Sequence, residues 1–211
     1  MTGLLWVLVA GFAVLDWYAV WRGALGLERL AKPLTMVALL AAAVSMGAPD
    51  TVSGHRLIAG LVLGLLGDVA LLGAGERRFI AGLSAFLVGH LAYTAAFLPA
   101  GPQTLALALP GLVLVVVLVA LVARPVLAGA AAQGGPALGA AVAAYMLVIG
   151  AMVVTAWGTG RPLVAAGASV FMVSDAVLAH ARFVRPWRRA SLLVMVTYHV
   201  GQVLIVLGLL R

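Results

Sequence analysis

The 211-residue sequence contains no cysteine, and only 9% of its residues are charged. The missing thiols exclude disulfides, cysteine nucleophiles, iron–sulfur clusters and cysteine-ligated zinc sites. An average soluble domain is about 25% charged and about 45–50% apolar. Here 65% of the residues are hydrophobic, so the composition predicts an integral membrane protein.

Several local motifs are also absent. Two serines in apolar stretches stand in the contexts GLSAF and GASVF, which lack the GxSxG elbow of serine hydrolases. No HExxH zinc motif occurs, and no glycine-rich phosphate loop precedes a helix in a nucleotide-binding context. The formal charge of +7 comes without a basic face interleaved with aromatic residues, so we expect no nucleic-acid binding.

The sequence is rich in long apolar stretches. A helix needs about 20 apolar residues to cross the roughly 30 Å hydrocarbon layer. Charged residues, proline and glycine divide the chain into eight such stretches. We therefore predict an all-α polytopic membrane bundle of eight transmembrane helices in a single domain, residues 1–211. The predicted spans are about 3–21, 34–48, 57–73, 79–98, 104–123, 137–157, 162–180 and 190–210.

Lysine and arginine are distributed unequally between alternate loops. The loops after odd-numbered spans hold ten of them, and the other side holds three. The positive-inside rule therefore predicts a cell-membrane protein with both termini outside the cytoplasm. The first span lacks the basic segment of a signal peptide and carries Asp16, so we expect it to be retained.

Three of the six acidic residues, Asp16, Asp68 and Asp175, lie inside predicted spans. A carboxylate in hydrocarbon costs at least about 2.5–3.5 kcal/mol, so it rarely stays there without a partner or a task. Each lies about five residues before the predicted inner end of its span, which implies a similar depth. We interpret Asp68 and Asp175 as functional, and we leave Asp16 open between a site residue and a solvated or paired one.

The segments around two of these acids look alike, LLGDVALL at 65–72 and MVSDAVLA at 172–179. The spans that follow them carry GHLAY at 89–93 and TYHVGQ at 197–202. This order suggests a four-plus-four parallel repeat. Chance similarity between apolar segments is the alternative.

Polar residues on the return spans have helical spacing. His90 and Tyr93 are three residues apart, and Tyr198 and Gln202 are four apart, so each pair shares a helix face. We predict that these residues line a polar cavity together with the acids. Spans 5 and 6 are interpreted as scaffold, with Tyr145 as their one polar exception.

The interpretation of Lys32 stays open between three roles, since it precedes Pro33 and the second span. It could snorkel to the interface, bind a phosphate headgroup, or stand beside a carboxylate. A zinc site built from His90, His199 and Asp68 has no local ligand spacing behind it, so we predict no metal.

The segments LLGDVALL, FIAGLSAFLVGHLAYTAAF, GASVFMVSDAVLAHARF and TYHVGQVLI, with AKPLTM at 31–36, resemble the YhhN-like lysoplasmalogenase family of membrane proteins. The resemblance runs in order from Lys32 to the last span. It implies a polytopic bundle that hydrolyses the vinyl-ether bond of lysoplasmalogens. The implied products are a fatty aldehyde and glycerophosphoethanolamine or glycerophosphocholine. His199 departs from the family pattern, in which an aromatic or neutral residue is expected.

The matching motif positions imply that Asp68 and Asp175 are the catalytic acids. Such a reaction needs a proton donor, a carboxylate that stabilises positive charge, and a base for water, and two carboxyls can share these tasks. We expect a lysophospholipid and the bilayer as partners and no cofactor, and the oligomeric state stays open. The predicted substrate-binding residues are Asp16, Lys32, Thr35, His90, Tyr93, Ser174, Tyr198, His199 and Gln202.

Three other functions compete with this interpretation. A proton-coupled transporter of a small or lipidic solute could use the same acids as a proton relay. A metal-assisted hydrolase could act on a different lipid bond. A purely structural membrane protein would leave three buried acids without a task.

Overall fold

The computed structural model describes residues 2–211, and all regular structure in this range is helical. The all-α fold class is therefore confirmed. Single turns of 3-10 helix occupy Ala48–Asp50 and Leu98–Ala100. Seven α-helices follow one another along these residues: α1 (Thr2–Arg22), α2 (Leu25–Ser45), α3 (Val52–Leu71), α4 (Glu76–Phe97), α5 (Leu105–Gly158), α6 (Pro162–Phe183) and α7 (Ala190–Leu210).

Six of the seven helices in the described range are long and apolar enough to cross a membrane. The exception is α2, which carries Glu28, Arg29 and Lys32 in its first half. Helices suit this environment because hydrocarbon offers no water to satisfy backbone polar groups. The chain is therefore a multi-pass membrane protein. The predicted count of eight spans and the four-plus-four repeat are not confirmed.

The long helix α5 consists of two arms that fold back on each other. Gly134 and Gly135 have non-helical dihedral angles, and the φ of 72° at Gly135 is one that glycine adopts readily. A Cβ at Gly150 would lie 3.0 Å from the Val115 side chain, and one at Gly111 would lie 2.6 Å from the Trp157 ring, so the arms 105–133 and 136–158 run antiparallel. The expected loop at 124–136, whose alanine and glycine content also allowed partial helix, is therefore mostly helix, because its alanine-rich part favours helix and the turn needs only two glycines.

The start of α2 also differs from the prediction, which left 22–33 outside the helices. Gly23 takes a left-handed conformation with a φ of 67°, and α2 begins at Leu25. The helix continues through Pro33, although proline removes one helical hydrogen bond. Packing of α2 against both α1 and α3 compensates for that loss. Lys32 therefore lies within a helix and not in a loop.

The chain groups into two compact units. The first comprises residues up to Ala100 together with Val206–Arg211, and in it α2 packs against α1 and α3, and α3 packs against α4. The second is Gly101–Ile205, in which α5 packs against α6. There α6 and α7 approach closely, because a Cβ at Gly167 would lie 2.8 Å from the carbonyl oxygen of Gly201.

Glycines bring α3 and α4 together in the first unit. A Cβ at Gly60 would lie 2.6 Å from the Tyr93 ring. Likewise, a Cβ at Gly67 would lie 2.6 Å from the Phe86 ring. These two contacts show that α3 and α4 run antiparallel. They also require glycine on this face of α3, because a larger side chain would overlap the rings of α4. The second contact lies directly before Asp68.

Candidate functional site

The first unit contains a buried ion pair between α2 and α3. Lys32 Nζ lies 3.2 Å from Asp68 Oδ1, and the two side chains are 8% and 2% exposed. An exposed pair contributes about 0–1 kcal/mol, whereas a buried pair must first offset the loss of water around both charges. Of the three roles considered for Lys32, the structure contains the one beside a carboxylate.

Thr35 lies one turn after Lys32 on the buried face of α2. Its hydroxyl donates a hydrogen bond to the carbonyl oxygen of Ala31 at 2.9 Å. Threonine commonly satisfies its proton in this way inside a helix. Thr35 therefore shares the helix face of Lys32 with its hydroxyl proton already engaged.

Asp16 lies on the buried face of α1, which packs against α2. The side chain is fully buried, and neither carboxylate oxygen has a hydrogen-bond partner among residues 2–211. The charged groups near enough to act on it are Lys32, Glu28 and Asp68. Asp16 therefore joins the ion pair in one polar cluster, and a solvated role does not fit its burial. We call Asp16, Lys32, Thr35 and Asp68 the α1–α3 cluster.

His90 and Tyr93 are both buried on the same side of α4. The Tyr93 ring packs over Gly60 of α3 and stacks on Phe97 at a centroid distance of 6.3 Å. Because α3 and α4 are antiparallel, His90 stands roughly 7 Å along the helix axis from the level of Asp68. Tyr93 lies farther from Asp68 along the axis than His90 does. Its ring contacts Gly60 and Phe97, where α3 and α4 pack together.

The second unit holds Asp175 of α6 beside Tyr145 of α5. The Tyr145 hydroxyl donates a hydrogen bond to Asp175 Oδ2 at 2.6 Å. Tyr145 is buried, while Asp175 is partly buried. Interpreting spans 5 and 6 as scaffold, with Tyr145 as their one polar exception, does not predict this contact. The available signal was a tyrosine hydroxyl in a largely apolar span.

The other predicted residues of the second unit lie where α6 meets α7. Ser174 donates a hydrogen bond to the backbone carbonyl of Val194 at 2.9 Å, which joins the two helices. Tyr198 is buried, with its ring edge-on to Phe171 at 5.2 Å. The last two residues of the predicted set are also buried, His199 and Gln202. Ser174 and Tyr198 therefore lie where α6 contacts α7, and all four of these predicted residues are buried.

The three acids stand at different distances from the ends of their helices. α1 ends six residues after Asp16, α3 three after Asp68, and α6 eight after Asp175. The equal spacing of about five residues is therefore wrong, because hydropathy locates an apolar stretch and not a helix end. Within each unit, the described residues contain no group of three or more His, Asp or Glu side chains able to hold a metal ion.

Comparison with known proteins shows which family the sequence of this chain matches. The model of the YhhN family matches residues 27–209. Lysoplasmalogenase TMEM86B of Homo sapiens is 35% identical over 151 residues, which are 72% of this chain and 62% of that protein. Lysoplasmalogenase TMEM86B of Sus scrofa is 34% identical over 190 residues, 89% of this chain and 75% of that protein. Lysoplasmalogenase TMEM86A of Bos taurus is 31% identical over 170 residues, 74% of this chain and 65% of that protein.

The chain thus spans 62% to 75% of the length of these three relatives. No solved structure matches it. The matched region contains Lys32, Asp68 and Asp175, whereas Asp16 precedes it. The resemblance seen in the sequence is confirmed, because the family model covers most of the chain and the relatives are about one-third identical. The chain belongs to the YhhN family.

Proposed function

We propose that this protein is a lysoplasmalogenase, a membrane hydrolase of the vinyl-ether bond of lysoplasmalogens. The products are a fatty aldehyde and glycerophosphoethanolamine or glycerophosphocholine. Relatives in the same family are named lysoplasmalogenases. The observation that carries the proposal is the ion pair of Lys32 and Asp68, buried in a helical membrane protein. Such a pair is costly to retain in an apolar interior without a task.

The chemistry of a vinyl ether requires acid and base groups. Protonation of the β-carbon converts the double bond into an oxocarbenium ion. Water then adds to the carbon that bears the oxygen and loses a proton, which gives a hemiacetal. The hemiacetal collapses to the aldehyde and releases the glycerol oxygen as a hydroxyl. Stabilising a cation and handling two protons are tasks that carboxyl groups perform in glycoside hydrolysis.

We propose that Asp68 and Asp175 are the two catalytic acids. Asp68 forms an ion pair with Lys32, and an ionised carboxylate suits charge stabilisation and water activation. Asp175 accepts a hydrogen bond from the Tyr145 hydroxyl, which orients its carboxyl group. We assign to Asp175 the donation of the proton to the β-carbon.

The surrounding polar residues are proposed to bind the lysophospholipid. Three of these residues, His90, Tyr198 and Gln202, are buried in helices that are long and apolar enough to cross a membrane. Polar and ionisable side chains inside membrane helices usually mark a substrate or ion pathway, and a lipid headgroup or glycerol is a substrate that such side chains can bind. The remaining residues of the proposed binding set are Asp16, Lys32, Thr35, Tyr93, Ser174 and His199.

The direct test is the release of aldehyde by purified protein in detergent or nanodiscs. A lysoplasmenylethanolamine should yield one fatty aldehyde per glycerophosphoethanolamine, measured by trapping the aldehyde with a hydrazine reagent. The saturated 1-O-alkyl lysolipid is the matched control and should yield none, because it has no double bond to protonate. If the vinyl-ether lipid also yields no aldehyde, the hydrolase proposal is rejected and proton-coupled transport becomes the leading alternative.

We further propose eight membrane crossings in a single domain, with the two arms of α5 and helix α2 counted as spans. Both termini then lie outside the cytoplasm. Lys32 is buried, and removing it from the count leaves nine basic residues on the cytoplasmic side against three. The proposed four-plus-four repeat would pair α3 and α4 with α6 and α7.

Single introduced cysteines can check this orientation without background, because the chain has none of its own. Ala74 lies exposed between α3 and α4, and Thr104 lies exposed before α5. A membrane-impermeant maleimide added to intact cells should label Thr104→Cys and spare Ala74→Cys until the cells are opened. The reverse pattern would invert the proposed orientation.

A further inference from the structure

Asp16 belongs to the proposed binding set, and no part of the lipid has been assigned to its carboxyl group. It is fully buried, yet neither oxygen has a hydrogen-bond partner within residues 2–211. Buried polar atoms in native structures almost always have partners, and a buried acceptor without one is destabilising. The position of Asp16 on the face of α1 that packs against α2 therefore calls for a hydrogen-bond donor from outside the described chain.

The neighbours of Asp16 restrict where a donor must lie in a bound lipid. Lys32, Glu28 and Asp68 are the charged groups that act on it, and Lys32 is itself engaged with Asp68 at 3.2 Å. With the reacting bond beside Asp68, the donor that Asp16 meets is one close to that bond, and the headgroup ammonium is separated from it by the glycerol backbone and the phosphate. The cluster therefore fits a hydroxyl donor on the glycerol backbone.

A lysoplasmalogen carries such a hydroxyl at its sn-2 carbon, next to the carbon that bears the vinyl-ether oxygen. We propose that Asp16 accepts a hydrogen bond from the sn-2 hydroxyl and thereby selects lysoplasmalogens over lipids acylated at this oxygen. This inference rests on the proposed function, since it needs the vinyl ether to react beside Asp68. A site built to bind a hydroxyl discriminates strongly against analogues without it, because its buried acceptor is then left unpaired.

The test compares two substrates in the wild type and in two Asp16 variants. The substrates are a lysoplasmenylethanolamine and its 2-deoxy analogue, in which hydrogen replaces the sn-2 hydroxyl. The wild type should lose about 10- to 100-fold in kcat/KM on the 2-deoxy analogue, as expected for a hydrogen bond to a carboxylate. Asp16→Ala should turn over both lipids within about threefold of each other, because the acceptor is gone. Asp16→Asn keeps an acceptor without the charge. Its loss of kcat/KM on the 2-deoxy analogue should therefore lie between the losses of the wild type and of Asp16→Ala.

Binding measurements separate this inference from the proposed reaction. A saturated 1-O-alkyl lysolipid and its 2-deoxy form are not hydrolysed, so their Kd values report recognition alone. The wild type should bind the hydroxyl form more tightly even if no lipid releases aldehyde, and Asp16→Ala should lose this preference. Asp50→Asn, at an exposed position, should keep the wild-type ratio.

Two results would overturn the proposal. One is an equal penalty for removing the hydroxyl in the wild type and in Asp16→Ala, in either assay. The other is a wild type that makes no distinction between the two forms. Size-exclusion profiles that match the wild type establish that the variants are folded, and the nearly isosteric Asp16→Asn protects the test if Asp16→Ala aggregates.

Discussion

Asp68→Asn and Asp175→Asn should each lower aldehyde release about 10²–10⁴-fold, the usual contribution of a positioned acid or base. Asparagine keeps the size of the side chain but can neither donate the proton nor act as a base for water. The measurement is kcat/KM for a lysoplasmenylethanolamine with purified variants. The double variant should lose little more than the more affected single one, because residues that act as a unit are not additive.

Two control variants distinguish loss of a catalytic acid from a general effect of substitution. Asp50→Asn removes an exposed carboxylate and should retain wild-type turnover. Tyr145→Phe removes the hydroxyl that binds Asp175 Oδ2 and should reduce turnover less than Asp175→Asn does, because the carboxyl group stays. If Asp68→Asn and Asp175→Asn both turn over substrate like the wild type, the proposal of two catalytic acids is wrong.

Lys32→Met should destabilise the folded protein by about 3–5 kcal/mol, the cost of leaving one charge of a buried pair uncompensated. The 3.2 Å pair is almost fully buried, so water cannot replace the lost ammonium. Replacing both partners in Lys32→Met/Asp68→Leu should recover most of the loss, since two apolar side chains leave no charge behind. Thermal or denaturant unfolding in detergent measures the difference, followed by tryptophan fluorescence.

Arg29→Met provides the comparison on the same helix. Arg29 is exposed, and changing it should leave the free energy of unfolding within about 0.5 kcal/mol of the wild type. A single Lys32→Met variant as stable as the wild type would show that the pair contributes little to folding. In that case the buried charges would have to be explained by catalysis alone.

Much of the architecture could be predicted because the bilayer imposes strict rules on backbone and composition. Apolar stretches located α1, α3, α4, α6 and α7 to within a few residues. Backbone groups in hydrocarbon must be satisfied internally, so apolar stretches of this length can only be helices. Family membership also followed from short motifs in a fixed order along the chain, and the family model confirmed it.

The positions of helix ends and turns were harder to predict. Charges and a proline suggested a loop before residue 34, but α2 runs from Leu25 through Pro33. The alanine-rich segment after Arg124 was assigned to a loop, yet it is helix up to the turn at Gly134 and Gly135. In both places packing and helix propensity outweighed the local breaking signals.

The amino-acid pattern alone established an all-helical membrane protein of this family, with rare acids inside its helices. The partners of two acids became visible in the folded chain: Lys32 for Asp68, and Tyr145 for Asp175. It also showed that Asp16 belongs to the α1–α3 cluster. The physical reason is that hydropathy depends on composition along one helix. A side-chain contact depends on how neighbouring helices are rotated and paired, which small residues and close packing set in three dimensions.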